Sequence, residues 1–286
     1  MWIAFAFGSA LFAGLTAILA KSGIKNTDSN VATALRTVIV LVFSWIMVFV
    51  VGAQVEISSI DKKTFVFLVL SGIATGASWL CYFKALQIGD VNKVTPIDKS
   101  STVLTMILAF VFLKEGLTLV KFLAMVLIGI GTFLMIQKRQ TDKVVHKGNA
   151  WLFYGMGSAF FASLTSILGK VGIENINSTL GTAIRTIVVL IMAWIVVFVT
   201  KKQNTIKDID KKSWIFLILS GIATGASWLF YYRALQTGQA SIVVPIDKLS
   251  IIVTIAFSYI VFKEKLNRKA VLGLFQIIGG TLLLLL

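Results

Sequence analysis

The chain has 286 residues, 57% of them hydrophobic and only 14% charged, against roughly 25% charged in an average soluble domain. A soluble protein of this length cannot hide that much apolar surface from water, which excludes an ordinary globular enzyme, a nucleic-acid binder and a disordered chain. The net charge of +15 is spread between long apolar runs and forms no dense basic stripe, as the positive-inside rule produces in membrane proteins; the single cysteine, Cys81, excludes an internal disulfide and any cysteine cluster for a metal.

A helix needs about 20 predominantly apolar residues to cross a bilayer core. Such runs lie at about 2–20, 31–51, 65–83, 94–113 and 117–136, and again at about 150–169, 180–200, 213–232, 241–262 and 270–286. They are continuous and do not alternate in polarity, which selects helices over barrel strands. The first run looks like a signal peptide, but it lacks a basic start and a near copy of it begins at Trp151. It is therefore read as a retained span. The expectation is an all-α membrane protein with ten transmembrane helices.

The second set of runs copies the first. Shifted by 149, residues 1–137 lie on 150–286 without a gap, and about 65 of the 137 positions are identical. Ser71–Leu80 recurs unchanged at Ser220–Leu229, and Pro96-Ile97-Asp98-Lys99 recurs as Pro245-Ile246-Asp247-Lys248. Residues 138–149 form a polar linker holding the lone histidine, His146, which reads as a solvated linker residue with no ligand partner near it in sequence. Five spans per copy is an odd number, so the second copy must enter the membrane from the opposite side. Two inverted five-helix repeats follow, with a substrate site expected near the midplane between them.

Seventeen Lys and Arg fall in the loops after spans 1, 3, 5, 7 and 9, six on the opposite side, and four (Arg36, Lys99, Arg185 and Lys248) inside spans, which accounts for all 27. The richer side is expected to be cytoplasmic, which puts both termini outside. Divergence between the copies points the same way. Lys201, Lys202, Lys207, Lys265, Arg268 and Lys269 align with uncharged residues of the first copy, each adding positive charge to the same face.

Short motifs recur at matching places. Tyr82-Phe83-Lys84-Ala85-Leu86-Gln87 is followed by Gly89, and Tyr231-Tyr232-Arg233-Ala234-Leu235-Gln236 by Gly238. Phe112-Leu113-Lys114-Glu115-Gly116-Leu117-Thr118 and its twin Val261-Phe262-Lys263-Glu264-Lys265-Leu266 end the fourth span of each half. A Gly-rich fifth span follows, with Gly129 and Gly131, then Gly279 and Gly280. In this order and spacing, each half resembles an EamA domain of the drug/metabolite transporter superfamily, over nearly the whole chain outside the linker. The resemblance implies a secondary transporter, an exporter or exchanger of small polar or amphipathic metabolites such as amino acids. It would sit in the bacterial inner membrane and work without ATP or a bound cofactor. Ten-span relatives usually keep both termini in the cytoplasm; the charge count here places them outside.

Charged groups inside spans are functional suspects, because a charge at the bilayer centre costs about 2.5–3.5 kcal/mol even on insertion scales. Asp98 and Asp247 each sit two residues after the lone proline of their half, Pro96 and Pro245. Proline frees a carbonyl about four residues earlier, and a helix broken in a bilayer is tolerated where it lines a cavity or packs on protein. Two readings stand. The pairs Asp98–Lys99 and Asp247–Lys248 contact substrate or a proton, or they belong to a salt-bridge network in which each Lys has another partner, since adjacent helical residues do not face each other. Arg36 and Arg185 either fork onto an anionic substrate group or snorkel and pair with the aspartates. Glu115 and Glu264 are expected to serve the first turn of the helix that follows them. Gly72-xxx-Gly76 and Gly221-xxx-Gly225 read as helix packing. Trp79 and Tyr82, with Trp228 and Tyr231, lie three residues apart on one helix face. They are either interfacial anchors or the wall of a substrate cavity.

There is no Walker A, HExxH or GxSxG motif, and Cys81 aligns with Phe230, so no enzyme is expected. The reading is alternating access by two inverted repeats; the alternative is a membrane scaffold or a lipid-modifying membrane protein without transport. The expected partners are a small-molecule substrate and the lipid bilayer, with no nucleic acid, cofactor or metal. Monomer and dimer are both open.

Overall fold

Backbone groups in hydrocarbon must bond within the protein, and a helix satisfies them within one segment. The computed structural model describes residues 1–23, 27–88, 91–135, 150–262 and 266–286, and no strand occurs among them. The first half runs α1 (Trp2–Gly23), α2 (Ser29–Val50), α3 (Lys62–Ile88), α4 (Val91–Lys99), α5 (Ser101–Phe112) and α6 (Leu119–Leu134). The second runs α7 (Ala150–Gly172), α8 (Ser178–Val199), α9 (Lys211–Thr237), α10 (Ala240–Lys248), α11 (Ser250–Phe262) and α12 (Arg268–Leu283). Among the described residues, seven stretches are long and apolar enough to cross a membrane, and one of them, Ala240–Phe257, takes in α10 and part of α11. The fourth span of each half is thus a broken pair, α4 with α5 and α10 with α11. Each break falls directly after the Asp–Lys pair, at Ser100 and at Leu249. His146 and Glu264 lie outside the described residues.

Polar side chains set the helix starts. Asp28 accepts from the amides of Asn30 and Val31 at α2, and Asn177 from Thr179 at α8. The carboxylates of Asp61 and Asp210 accept the amides of Thr64 (2.7 Å) and Ser213 (3.0 Å) at α3 and α9. Hydrogen bonds from Thr64 and Ser213 hold both carboxyls below their ordinary value of 3.8. A depressed folded value means the stabilisation is present above 3.8 and is lost as pH falls through the folded value. Asp61→Ala and Asp210→Ala should therefore lower the melting temperature in detergent at neutral pH. The gap to wild type should close in acid; a gap unchanged in acid would exclude the carboxylate as its source.

The halves are inverted. A Cβ on Gly131 of α6 would lie 2.6 Å from the Gly273 carbonyl of α12, whereas one on Gly280 would lie 3.0 Å from the Ala124 carbonyl. As α6 advances, α12 recedes, so the equivalent helices run antiparallel. The same reversal links α3 to α7 through Ser71–Thr165 and Ser78–Ser158, and α9 to α1 through Ser220–Thr16 and Ser227–Ser9. Large apolar side chains such as Phe49, Phe133, Phe153 and Phe275 point outward, while Gly, Ala and Ser line the helix contacts. Lipid solvates the outer face, and small residues let helices approach closely.

Candidate functional site

The small residues of α3 and α9 bring α7 and α1 of the opposite half close, and the polar residues among them meet at the junction. A cavity of about 290 Å³ opens there, roughly ten waters by volume. Thr75, Ser78 and Trp79 of α3 line one side; Trp228, Tyr231 and Tyr232 of α9 line the other, with Asp247, Lys248 and Arg185.

Each aspartate is held across the two halves. Ser158 of α7 donates to Asp98 at 2.7 Å, and Ser9 of α1 donates to Asp247 at 2.6 Å. Behind them Ser78 donates to the Ser158 carbonyl and Ser227 to the Ser9 carbonyl. Each lysine lies 3.8 Å from the carboxylate of its own neighbour, Lys99 from Asp98 and Lys248 from Asp247. Adjacent residues meet here because the helix ends at the lysine, which frees its stem to turn back. The lysine side chains are about half exposed, against 19% and 15% for the two aspartates. The aspartates are thus the more enclosed partner of each pair, held by the serines.

Arg185 neither snorkels nor pairs with an aspartate. It is 1% exposed. Its Nη2 donates to Thr75 Oγ1 at 2.8 Å and its Nε to Ser71 Oγ at 3.3 Å. Its guanidinium carbon lies 4.7 Å from the Tyr232 ring centre and 5.2 Å from that of Trp228. The twin Arg36 is half-buried, and among the described residues its Nε has no hydrogen-bond partner. Trp79, Trp228 and Tyr231 belong to the cavity wall, and Tyr231 hydrogen-bonds Ser166 at 2.7 Å. Tyr82, half-buried on α3, is not part of the lining. Pro245 is buried within α10, and Pro96 occupies the matching place in α4.

Glu115 does not serve the following helix. Lys114 takes a left-handed φ of 54° and turns the chain toward the other half. There the Glu115 carboxylate accepts the amides of Ala240 (2.6 Å) and Ser241 (2.9 Å), capping α10. Lys170 lies 3.6 Å from the same carboxylate and donates to the Gly238 carbonyl. Lys121 donates to Gln239 at 2.6 Å. This knot ties the start of α10 to Glu115 and Lys121 of the first half.

Sequence reasoning singled out the aspartates, arginines and aromatics but passed over Ser9 and Ser158. The available signal was their recurrence in Gly8-Ser9-Ala10 and Gly157-Ser158-Ala159. Ser71 and Thr75 were legible only as packing residues.

Residues 1–137 and 149–286 each match the EamA-like transporter family. An uncharacterized transporter from a cobO 3' region of a Sinorhizobium species is 45% identical over 135 residues, 47% of this chain and 96% of that protein. An uncharacterized protein of Methanocaldococcus jannaschii is 32% identical over 133 residues, 46% of this chain and 88% of that protein. Half of this chain thus spans most of either relative. A solved crystal structure superposes with a TM-score of 0.81 at 12% identity, covering 99% of this chain and 96% of that one; at that identity the likeness is one of fold.

Proposed function

The chain belongs to the EamA-like transporter family, and from that premise we propose that it is a secondary transporter, an exporter or exchanger of small polar or amphipathic metabolites, working by alternating access. The repeats 1–137 and 150–286, joined by the polar linker, rock about the chamber between them. All ten spans cross the bacterial inner membrane, with both termini on the outer side as the charge count favours.

The observation that carries this reading is the pair of serine–aspartate bonds bridging the halves beside a polar cavity. Symmetric contacts of this kind can be exchanged when one half tilts, so each face opens in turn. Asp247, Lys248 and Arg185 carry the chamber's charge, with the twin pair Asp98 and Lys99 outside its lining; Trp79, Trp228 and Tyr231 hold the apolar part of the solute. Pro96 and Pro245 keep the broken helices from sealing into straight rods.

Reconstituted liposomes decide the matter. Wild type should move solutes from a mixture of small labelled metabolites, and Asp98→Asn/Asp247→Asn should slow that flux about tenfold or more, the kinetic equivalent of one charge-assisted hydrogen bond. If a proton is the coupling ion, the variant loses gradient-driven uptake and keeps exchange. A folded wild type that moves no solute would favour the scaffold reading.

A further inference from the structure

The chamber's charges do not balance among themselves. Asp247 in the lining has Lys248 3.8 Å away, and its twin Asp98, outside the lining, has Lys99 at the same distance. Arg185 is a further cation, and among the described residues no carboxylate lies within 4 Å of it. Its two hydrogen bonds go to neutral hydroxyls whose protons are committed elsewhere: Ser71 donates to the Thr165 carbonyl at 2.8 Å and Thr75 to the Ser71 carbonyl at 3.0 Å. A guanidinium has five N–H donors in a planar fork, and among the described residues only two are engaged. A buried cation without a counter-charge is costly, and the cost is recovered when an anion with two acceptor oxygens arrives. Arg185 lines the cavity, and Trp228 and Tyr232 flank it with aromatic surface.

We infer that Arg185 is the anchor for an anionic group, a carboxylate or a phosphate, on the transported solute, with Trp228 and Tyr232 beside it to take the solute's planar or apolar part. This rests on reading the chamber as the transport site. The arginine also ties the halves, since it reaches from α8 of the second half to Ser71 and Thr75 of the first. An anion that takes the fork competes with those hydroxyls, so loading the site loosens one tie between the halves. The twin Arg36 lacks the equivalent bonds. Ser220 and Thr224 bond Thr16 as Ser71 and Thr75 bond Thr165, but among the described residues neither bonds Arg36; in the sequence Phe83 aligns with Tyr232. The anion site therefore belongs to the second repeat in this conformation.

Purified protein in detergent tests this with three probes of one shape: benzoate, phenyl phosphate and neutral benzamide. At least one of the two anions should raise the melting temperature and bind at least tenfold tighter than benzamide. The stronger of the two tells carboxylate from phosphate. Arg185→Gln should weaken that anion's binding at least tenfold. Arg185→Lys, which keeps the charge and loses the fork, should weaken it by a smaller factor. Lys63→Gln, which removes a cation from the exposed Lys63–Glu174 pair, should leave it within twofold. Should the Arg185 variants not fold, wild type against Trp228→Phe decides, because the tryptophan emission change on anion binding should vanish in that variant. Equal binding of benzamide and both anions, or an unchanged emission response in Trp228→Phe, would overturn the assignment. Anion binding without flux in liposomes would leave the site and remove the transport reading; flux of neutral solutes without anion preference would do the reverse.

Discussion

Replacing Glu115 by alanine should cost about 3–5 kcal/mol of folding stability, the range for breaking a buried ion pair from one side. The carboxylate is 7% exposed and Lys170 is 22% exposed, so water replaces little of what is lost. Two amides at the start of α10, those of Ala240 and Ser241, lose their acceptor. The first amides of a helix have no partner inside it, and they carry its positive end. Lys170 is then left beside them without its counter-charge. Glu115→Gln keeps one acceptor oxygen and removes the charge, so it should lose about half as much. Unfolding titrations in mixed detergent micelles, followed by circular dichroism, measure both. A loss below about 1 kcal/mol for the alanine variant would mean that the cap is replaced by solvent. The result bears on the proposed transport as well, since α10 carries Asp247 and Glu115 reaches α10 from the other half.

Gly273→Val should cost about 3 kcal/mol or more, at the upper end of overpacking effects. A Cβ there would lie 2.5 Å from the Gly131 carbonyl oxygen and 2.8 Å from the Met135 amide nitrogen. Both are backbone atoms, so neither can swing aside as a side chain would, and α6 and α12 must separate. Six residues further along the same helix, a Cβ on Gly279 would meet nothing within 4 Å. Gly279→Ala should be neutral or should stabilise by about 0.5–1 kcal/mol through helix propensity. The pair shares one helix and one unfolding assay. Equal losses at both positions would refute close backbone packing as the cause.

Sequence reasoning misjudged three placements. Asp98 and Lys99 are neighbours, and helical geometry says that neighbours diverge; the break at Ser100 lets them meet. Glu115 precedes a helix, and proximity in sequence assigns it there; the left-handed turn at Lys114 sends it to α10 instead. Arg185 sits near the start of an apolar run, and its shallow depth suggested snorkelling or pairing with the aspartates. It is held inside because Ser71, Thr75, Trp228 and Tyr232 converge on it from two other helices. For Glu115 and Arg185 the deciding contact lies far away along the chain; for Asp98 and Lys99 it is a helix break one residue on.

Hydropathy, the odd number of spans and a gapless internal copy were enough to specify helices, duplication and inversion, because a bilayer permits few ways to bury a backbone and a two-fold copy must repeat its contacts. The same symmetry named Asp98 with Asp247 and Arg36 with Arg185 as equals. The tertiary structure alone separated the arginines, since which member of a symmetric pair finds its hydroxyls depends on packing between helices that no local run of residues encodes.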